Sequence, residues 1–128
     1  MHLFFRFSFF TVCFLCCFLA NAQKSNYRRV LLFVESEKDS QLLEQQRLLK
    51  ADEAGCKIRD IRVETFVFSK TNKFFLSDHA VYSPRFTFLL IGKDGSAKFR
   101  STKVISKEQL FAIIDAMPMR KKEMKRAD

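Results

Sequence analysis

Tyr27-Arg28-Arg29-Val30-Leu31-Leu32-Phe33-Val34-Glu35 decides the architecture. Its apolar run, Val30 to Val34, is too short for a buried helix, is rich in β-formers and is bounded by charged side chains. A strand that is apolar on both faces belongs inside a sheet covered on both sides, which points to an α/β protein. Working outward, Ser36-Glu37-Lys38-Asp39 has the spacing of a capping box with Asp in the Glu role. Leu42, Leu43, Leu49 and Ala54 then recur at helical intervals, predicting a helix from Lys38 to Ala54 closed by Gly55.

Ile58, Ile61, Val63, Phe66, Val67 and Phe68 alternate imperfectly with charged residues, so a second strand is expected to begin near Asp60, with Cys56 as a small apolar residue at its approach. Ser69 to Pro84 is polar and irregular, with a turn of helix expected at Phe74-Phe75-Leu76. Arg85 to Ile91 predicts a third strand, Lys93-Asp94-Gly95 supplies turn chemistry, and Ala97 to Ser101 returns antiparallel. Ser106 suits the N-cap of a helix from Lys107 to Ala116, whose Leu110, Phe111, Ile113 and Ile114 form an apolar face and which Pro118 ends. The basic run from Met119 to Arg126 is expected to be a mobile, solvated tail. The order β-α-β-irregular-β-β-α is that of a single thioredoxin-like α/β domain, a mixed central sheet flanked by helices. Pro84 stands where that fold carries a proline before its third core strand, commonly after a cis bond.

Residues 1–22 read as a signal peptide. Arg6 is the leader's side-chain cation, the apolar stretch runs from Phe7 to Leu19, and Ala20-Asn21-Ala22 forms an A-x-A cleavage site. A retained membrane anchor is the competing reading, disfavoured because the run falls short of a full span. Cleavage after Ala22 predicts a secreted or periplasmic protein, residues 23–128, with no membrane span in the mature chain. Cys13, Cys16 and Cys17 would leave with the leader, so Cys56 remains without an intramolecular disulfide partner.

The chain of 128 residues has a formal charge of +9, which the leader's single cation barely changes. Lys98, Arg100, Lys103, Lys107, Arg120, Lys121, Lys122, Lys125 and Arg126 concentrate that charge in the last third. Lys98, Arg100, Arg120, Lys121 and Lys122 are the candidate anion-binding residues. Envelope or matrix polysaccharide, or an acidic exported protein, suits them better than nucleic acid, because the chain carries an export leader and no nucleic-acid-binding motif.

Leu89-Leu90-Ile91-Gly92-Lys93-Asp94-Gly95, then Lys98-Phe99-Arg100-Ser101, then Glu108 to Arg120 ending in Ile114-Asp115-Ala116-Met117-Pro118-Met119-Arg120, closely resemble the DUF4174 family. Weaker similarity covers Arg29 to Gln46, and Ser96 stands where a second glycine is expected. The resemblance implies a redox-silent relative of thioredoxin and peroxiredoxin, of a kind found in bacterial envelopes and in vertebrate extracellular matrix-associated proteins, with no enzymatic activity attached.

The residues agree with that implication. Thioredoxin-type exchange needs a low-pKa thiolate at the N-terminus of the helix after the first strand. Glu35-Ser36-Glu37-Lys38-Asp39-Ser40 occupies that place with acids and no cysteine. Glu35, Glu37 and Asp39 are read as capping residues, and one Cys with one His, His79, cannot complete an ordinary zinc site. No catalytic residue, cofactor or metal is therefore assigned. The expectation is a non-catalytic binding module; the alternative is an undetected enzyme or redox accessory using Cys56 as a reactive thiol.

Overall fold

The computed structural model describes residues 24–128, so the expected leader, the expected cleavage point after Ala22 and Cys13, Cys16 and Cys17 lie outside the described residues. The apolar run forms β1, Arg28–Val34, and every residue from Val30 to Val34 is fully buried. β2 (Ile61–Val67) runs parallel to β1 on one side; β3 (Thr87–Ile91) runs antiparallel on the other, and β4 (Ala97–Ser101) returns antiparallel to β3. The sheet order is β2-β1-β3-β4, a mixed α/β sheet with both strongly apolar strands inside it, as the sequence implies. The outer strands are only partly buried.

Alternation along the strands produces two cores. On one face Val30, Leu32, Val34, Phe88 and Leu90 pack against Leu42 and Leu49 of α1 (Ser40–Lys50) and Leu110 and Ile114 of α4 (Lys107–Asp115). On the other, Leu31, Phe33, Leu89 and Ile91 meet Leu76 of α3 (Lys73–Asp78) and Val81. Phe33, Phe66 and Phe75 extend this second core as a run of neighbouring rings, with the His79 ring 4.3 Å from Phe75.

Several expectations are corrected. The single helix over Lys38 to Ala54 is two: α1 and α2 (Glu53–Ile58). Asp39, not Ser36, caps α1, its Oδ1 accepting the Gln41 and Leu42 N–H groups at 2.8 and 3.1 Å. Asp52 then caps α2 by accepting from the Gly55 N–H at 2.9 Å, so an acid inside the helical pattern starts a new helix. Gly55 does not close a helix; it sits within α2, where a Cβ would stand 2.7 Å from Cε2 of Phe111. Cys56 accordingly lies on α2 rather than leading into a strand. The third strand begins at Thr87, two residues later than the apolar pattern suggests, and the irregular segment holds a 3-10 turn at Phe68–Lys70 as well as α3. No cis peptide bond occurs among the described residues, so Ser83–Pro84 is trans.

The largest correction is at the C-terminus. Pro118 does not end α4, which stops at Asp115; it opens α5, Pro118–Ala127, from the N1 position, where its missing N–H costs nothing. The basic run is therefore helical. Arg120 and Glu123 face inward, while Lys121, Lys122, Lys125 and Arg126 face solvent.

Candidate functional site

What holds α5 down is charge rather than an apolar stripe. The Glu123 carboxylate accepts hydrogen bonds from Arg28 through both oxygens at 3.3 Å, from Lys93 at 2.7 Å and from Arg120 at 3.4 Å. Burial pushes the Glu123 carboxyl up, but the Lys93 and Arg28 bonds outweigh it and hold it below the ordinary range. Lys93 also reaches Asp60 at 2.8 Å. Arg59 makes a two-pronged bond to Asp115 at 3.0 and 2.8 Å, and Arg120 reaches the same carboxylate at 3.3 Å. Arg59, then burial acting the opposite way, then Arg120 leave the Asp115 carboxyl below its usual value.

These guanidiniums also satisfy the end of α2. Arg59 donates to the Gly55 carbonyl, Arg120 to that of Ile58 and Arg28 to that of Arg59, at 2.9, 3.1 and 3.0 Å. The last carbonyls of a helix lack intrahelical donors and carry its negative pole, so three cations there are favourably placed. Arg59 lies 4.0 Å above the Phe111 ring, which ties the same cluster to α4.

Beside this network, a cleft of about 340 Å³ opens between the β3–β4 turn and the start of α5, lined by Arg28, Gly92, Lys93, Asp94, Lys98, Met117, Pro118, Met119 and Lys122. At Gly92 a Cβ would meet Cε of Lys98 at 2.6 Å and Oδ1 of Asp94 at 2.9 Å, so a side chain there would displace Lys98 and Asp94 from their present positions. Gly95 adopts φ 82° and closes the turn with its N–H on the Gly92 carbonyl. Ser96, at the position where a glycine was expected, gives Asp94 two hydrogen bonds, from its N–H and its hydroxyl. With Lys98 at 2.8 Å as the principal cause, these bring the Asp94 carboxyl down to about 2.

The five basic residues singled out from sequence do not converge as a set. Lys98 and Lys122 line the cleft. Arg120 is buried beneath it and committed to Asp115, Glu123 and Ile58, whereas Lys121 faces solvent on α5. Arg100 lies away from the cleft, donating to the carbonyls of His79 and Ala80. Pro84 precedes β3 outside this region. Sequence reasoning missed Arg28, Gly92, Lys93 and Glu123; the signal available for Arg28 was a charged residue directly abutting the most apolar strand.

Cys56 lines a separate cleft of about 440 Å³ between α1, α2 and β2. Its half-buried thiol points to the Leu49 carbonyl at 3.8 Å, and burial, followed by the charge of Asp52, pushes its pKa up. His79 Nδ1 lies 2.8 Å from the Phe75 carbonyl, an arrangement that fixes the ring within α3 and its aromatic neighbours. No group of three or more His, Cys, Asp or Glu side chains placed to hold a metal, and no helix long and apolar enough to cross a membrane, occurs among the described residues.

No curated protein and no solved structure matches the chain. A family model does match, described as a domain of unknown function, DUF4174, and its match over residues 18–123 takes in every strand of the sheet, the cleft and the Glu123 network. With most of its length covered, the chain belongs to the DUF4174 family.

Proposed function

We propose that this protein is an exported, non-catalytic, thioredoxin-like module that binds an anionic polymer of an envelope or matrix, or an acidic exported protein. The observation that carries the reading is the outer face of α5. Lys121 and Lys125, and Lys122 and Arg126, stand one helical turn apart, all exposed. Like charges at that spacing destabilise an isolated helix by a few tenths of a kcal/mol per pair, about 0.2–0.5. The helix tolerates the repulsion because its inner face is anchored through Arg120 and Glu123. A maintained row of cations suits an extended anionic partner.

Two further features support the non-catalytic, thioredoxin-like part. The strand order β2-β1-β3-β4 with its βαβ and hairpin halves suits that fold, and the place of its reactive thiol is taken by the Ser36 turn and the Asp39 cap. Cys56 is the sole cysteine of the described residues, and its raised pKa disfavours the thiolate.

The test is retention of the purified protein on heparin resin against neutral dextran resin, at low and high salt. Wild type and Cys56→Ser should bind heparin equally and elute with salt, while Lys121→Gln/Lys125→Gln/Arg126→Gln should elute at markedly lower salt. Retention that ignores salt and vanishes in Cys56→Ser would replace this reading with thiol chemistry.

A further inference from the structure

We infer that the cleft between the β3–β4 turn and α5 is a site for one compact oxyanion, a sulfate or phosphate group, either free or carried on a polymer. This deepens the binding reading above and rests on it for the class of partner.

The charge balance around the cleft is the starting point. Its lining carries Arg28, Lys93, Lys98 and Lys122 against Asp94 alone. Carboxylates behind the lining offset part of this: Glu123 serves Arg28 and Lys93, and Asp60 serves Lys93. Lys122 has no ion-pair partner among the described residues, and Lys98 is held only by Asp94, both of them exposed. The residual charge is therefore positive and sits at the mouth, where an anion would arrive.

The helix supplies fixed donors. Of the first four N–H positions of α5, that of Met117 is spent on the Ile114 carbonyl and Pro118 has none. The Met119 and Arg120 N–H groups remain, and no side chain caps them. Met117, Pro118 and Met119 all line the cleft, so the positive pole of a ten-residue helix stands at its wall.

An independent observation comes from Arg28. This side chain lines the same cleft, is 1 % exposed, and its Nε–H finds no acceptor in the protein while both Nη groups are bonded. A buried guanidinium donor without a partner is costly, and an acceptor brought to this wall of the cleft would offset that cost. A tetrahedral oxyanion provides several acceptor oxygens and accepts charge-assisted hydrogen bonds from both guanidinium and ammonium groups. Gly92 completes the cradle by letting Lys98 lie across the turn, close to the cleft.

The experiment is a titration of the purified full-length gene product with inorganic phosphate, and separately sulfate, at ionic strength held constant with chloride, read by backbone amide NMR. Specific, saturable shifts are expected at Gly92, Lys93, Met119 and Arg120. Lys98→Gln/Lys122→Gln should weaken binding by at least about tenfold, and Lys125→Gln/Arg126→Gln should leave it within about twofold. Absence of saturable cleft shifts with phosphate, sulfate and heparin alike, or shifts spread evenly along α5, would overturn the site. Equal weakening by both double variants would do the same, since it would mark general attraction. Heparin retention of Lys98→Gln/Lys122→Gln separates this inference from the broader one. Persistent salt-sensitive retention with a silent cleft rejects the oxyanion site alone, saturable cleft shifts without wild-type retention reject the polymer reading alone, and no retention together with a silent cleft rejects both. Cleft shifts with heparin but with neither free ion would restrict the site to polymer-borne groups.

Discussion

Arg28 and Glu123, 95 residues apart, face each other through two hydrogen bonds of 3.3 Å, one from each end of the guanidinium, at the point where the first strand meets the last helix. Arg28 is fully buried and Glu123 about one-fifth exposed. Exchanging one carboxylate oxygen for an amide nitrogen removes the countercharge of a buried guanidinium and leaves the Arg28, Lys93 and Arg120 donors to compete for a single acceptor oxygen. Glu123→Gln is expected to destabilise the domain by about 3 kcal/mol in urea unfolding. A loss below about 0.5 kcal/mol would mean that α5 is held by something other than this network.

This network, together with the separate Arg29–Glu64 and Lys98–Asp94 pairs, dictates how the fold responds to acid. Glu123, Asp115, Glu64 and Asp94 all have carboxyl pKa values below their ordinary ones; for Asp115, Glu64 and Asp94 the leading cause is a cationic hydrogen-bond partner. A carboxyl with a lower pKa in the folded state binds protons more readily when unfolded, so its stabilisation is complete above the unfolded value and is lost as pH falls through the folded one. The melting temperature should hold steady down to about pH 5 and fall progressively toward about pH 2. Glu123→Gln should flatten part of that fall, and an unchanged slope would remove Glu123 from its cause.

Cys56 provides a kinetic check on the redox-silent reading. Its thiol is half-buried, set against the Leu49 carbonyl and faced by Asp52, all of which disfavour the thiolate. Alkylation by iodoacetamide near neutral pH is expected to be several-fold slower than for a free cysteine. A faster rate than the free amino acid would require an activated thiol and reopen the case for chemistry at this position.

The sheet was legible because its information is local. Val30 to Val34 and Phe88 to Ile91 are continuous apolar runs, and Asp94-Gly95 marks the turn between the hairpin strands. The break between α1 and α2 was not, since Leu43 and Ala54 keep the helical spacing across Asp52 and only the Asp52 cap on the Gly55 N–H shows that the chain restarts. The last helix was missed for two physical reasons. Proline reads equally as a stop and as an N1 start, and Pro118–Ala127 lacks an apolar stripe because its inner face is built from Arg120 and Glu123. The cleft itself could not be read, as Arg28, Gly92 and Lys122 come together only through the strand order and the docking of α5.

Ala80 offers a gain in stability. It follows α3 with φ 53°, and the chain closes there with the Val81 N–H on the Leu76 carbonyl at 2.8 Å and the Ala80 N–H on that of Ser77. This is the left-handed helix ending that glycine normally takes, and a Cβ there costs about 1 kcal/mol. Ala80→Gly relieves that strain but adds unfolded-chain entropy, leaving an expected net gain of about 0.5 kcal/mol by urea unfolding. Destabilisation would place the native φ outside the left-handed region.

Gln45 tests the join between the first helix and the chain leading into α4. The side chain is completely buried; its Nε2 donates to the Ile105 carbonyl at 3.1 Å, and its Oε1 accepts the Ile105 N–H at 2.9 Å. One carboxamide thus satisfies both backbone groups of a buried residue that no strand or helix would otherwise pair. Gln45→Leu preserves the volume but strands a buried donor and acceptor together, at about 1–3 kcal/mol each. A loss of roughly 3 kcal/mol is expected by urea unfolding. Gln45→Glu should be equally damaging near neutral pH and recover partly in mild acid, since a protonated carboxyl can still accept from one group and donate to the other. If Gln45→Leu proved neutral, the segment from Thr102 to Ile105 would have to find other partners, and the positioning of α4 would not depend on this side chain.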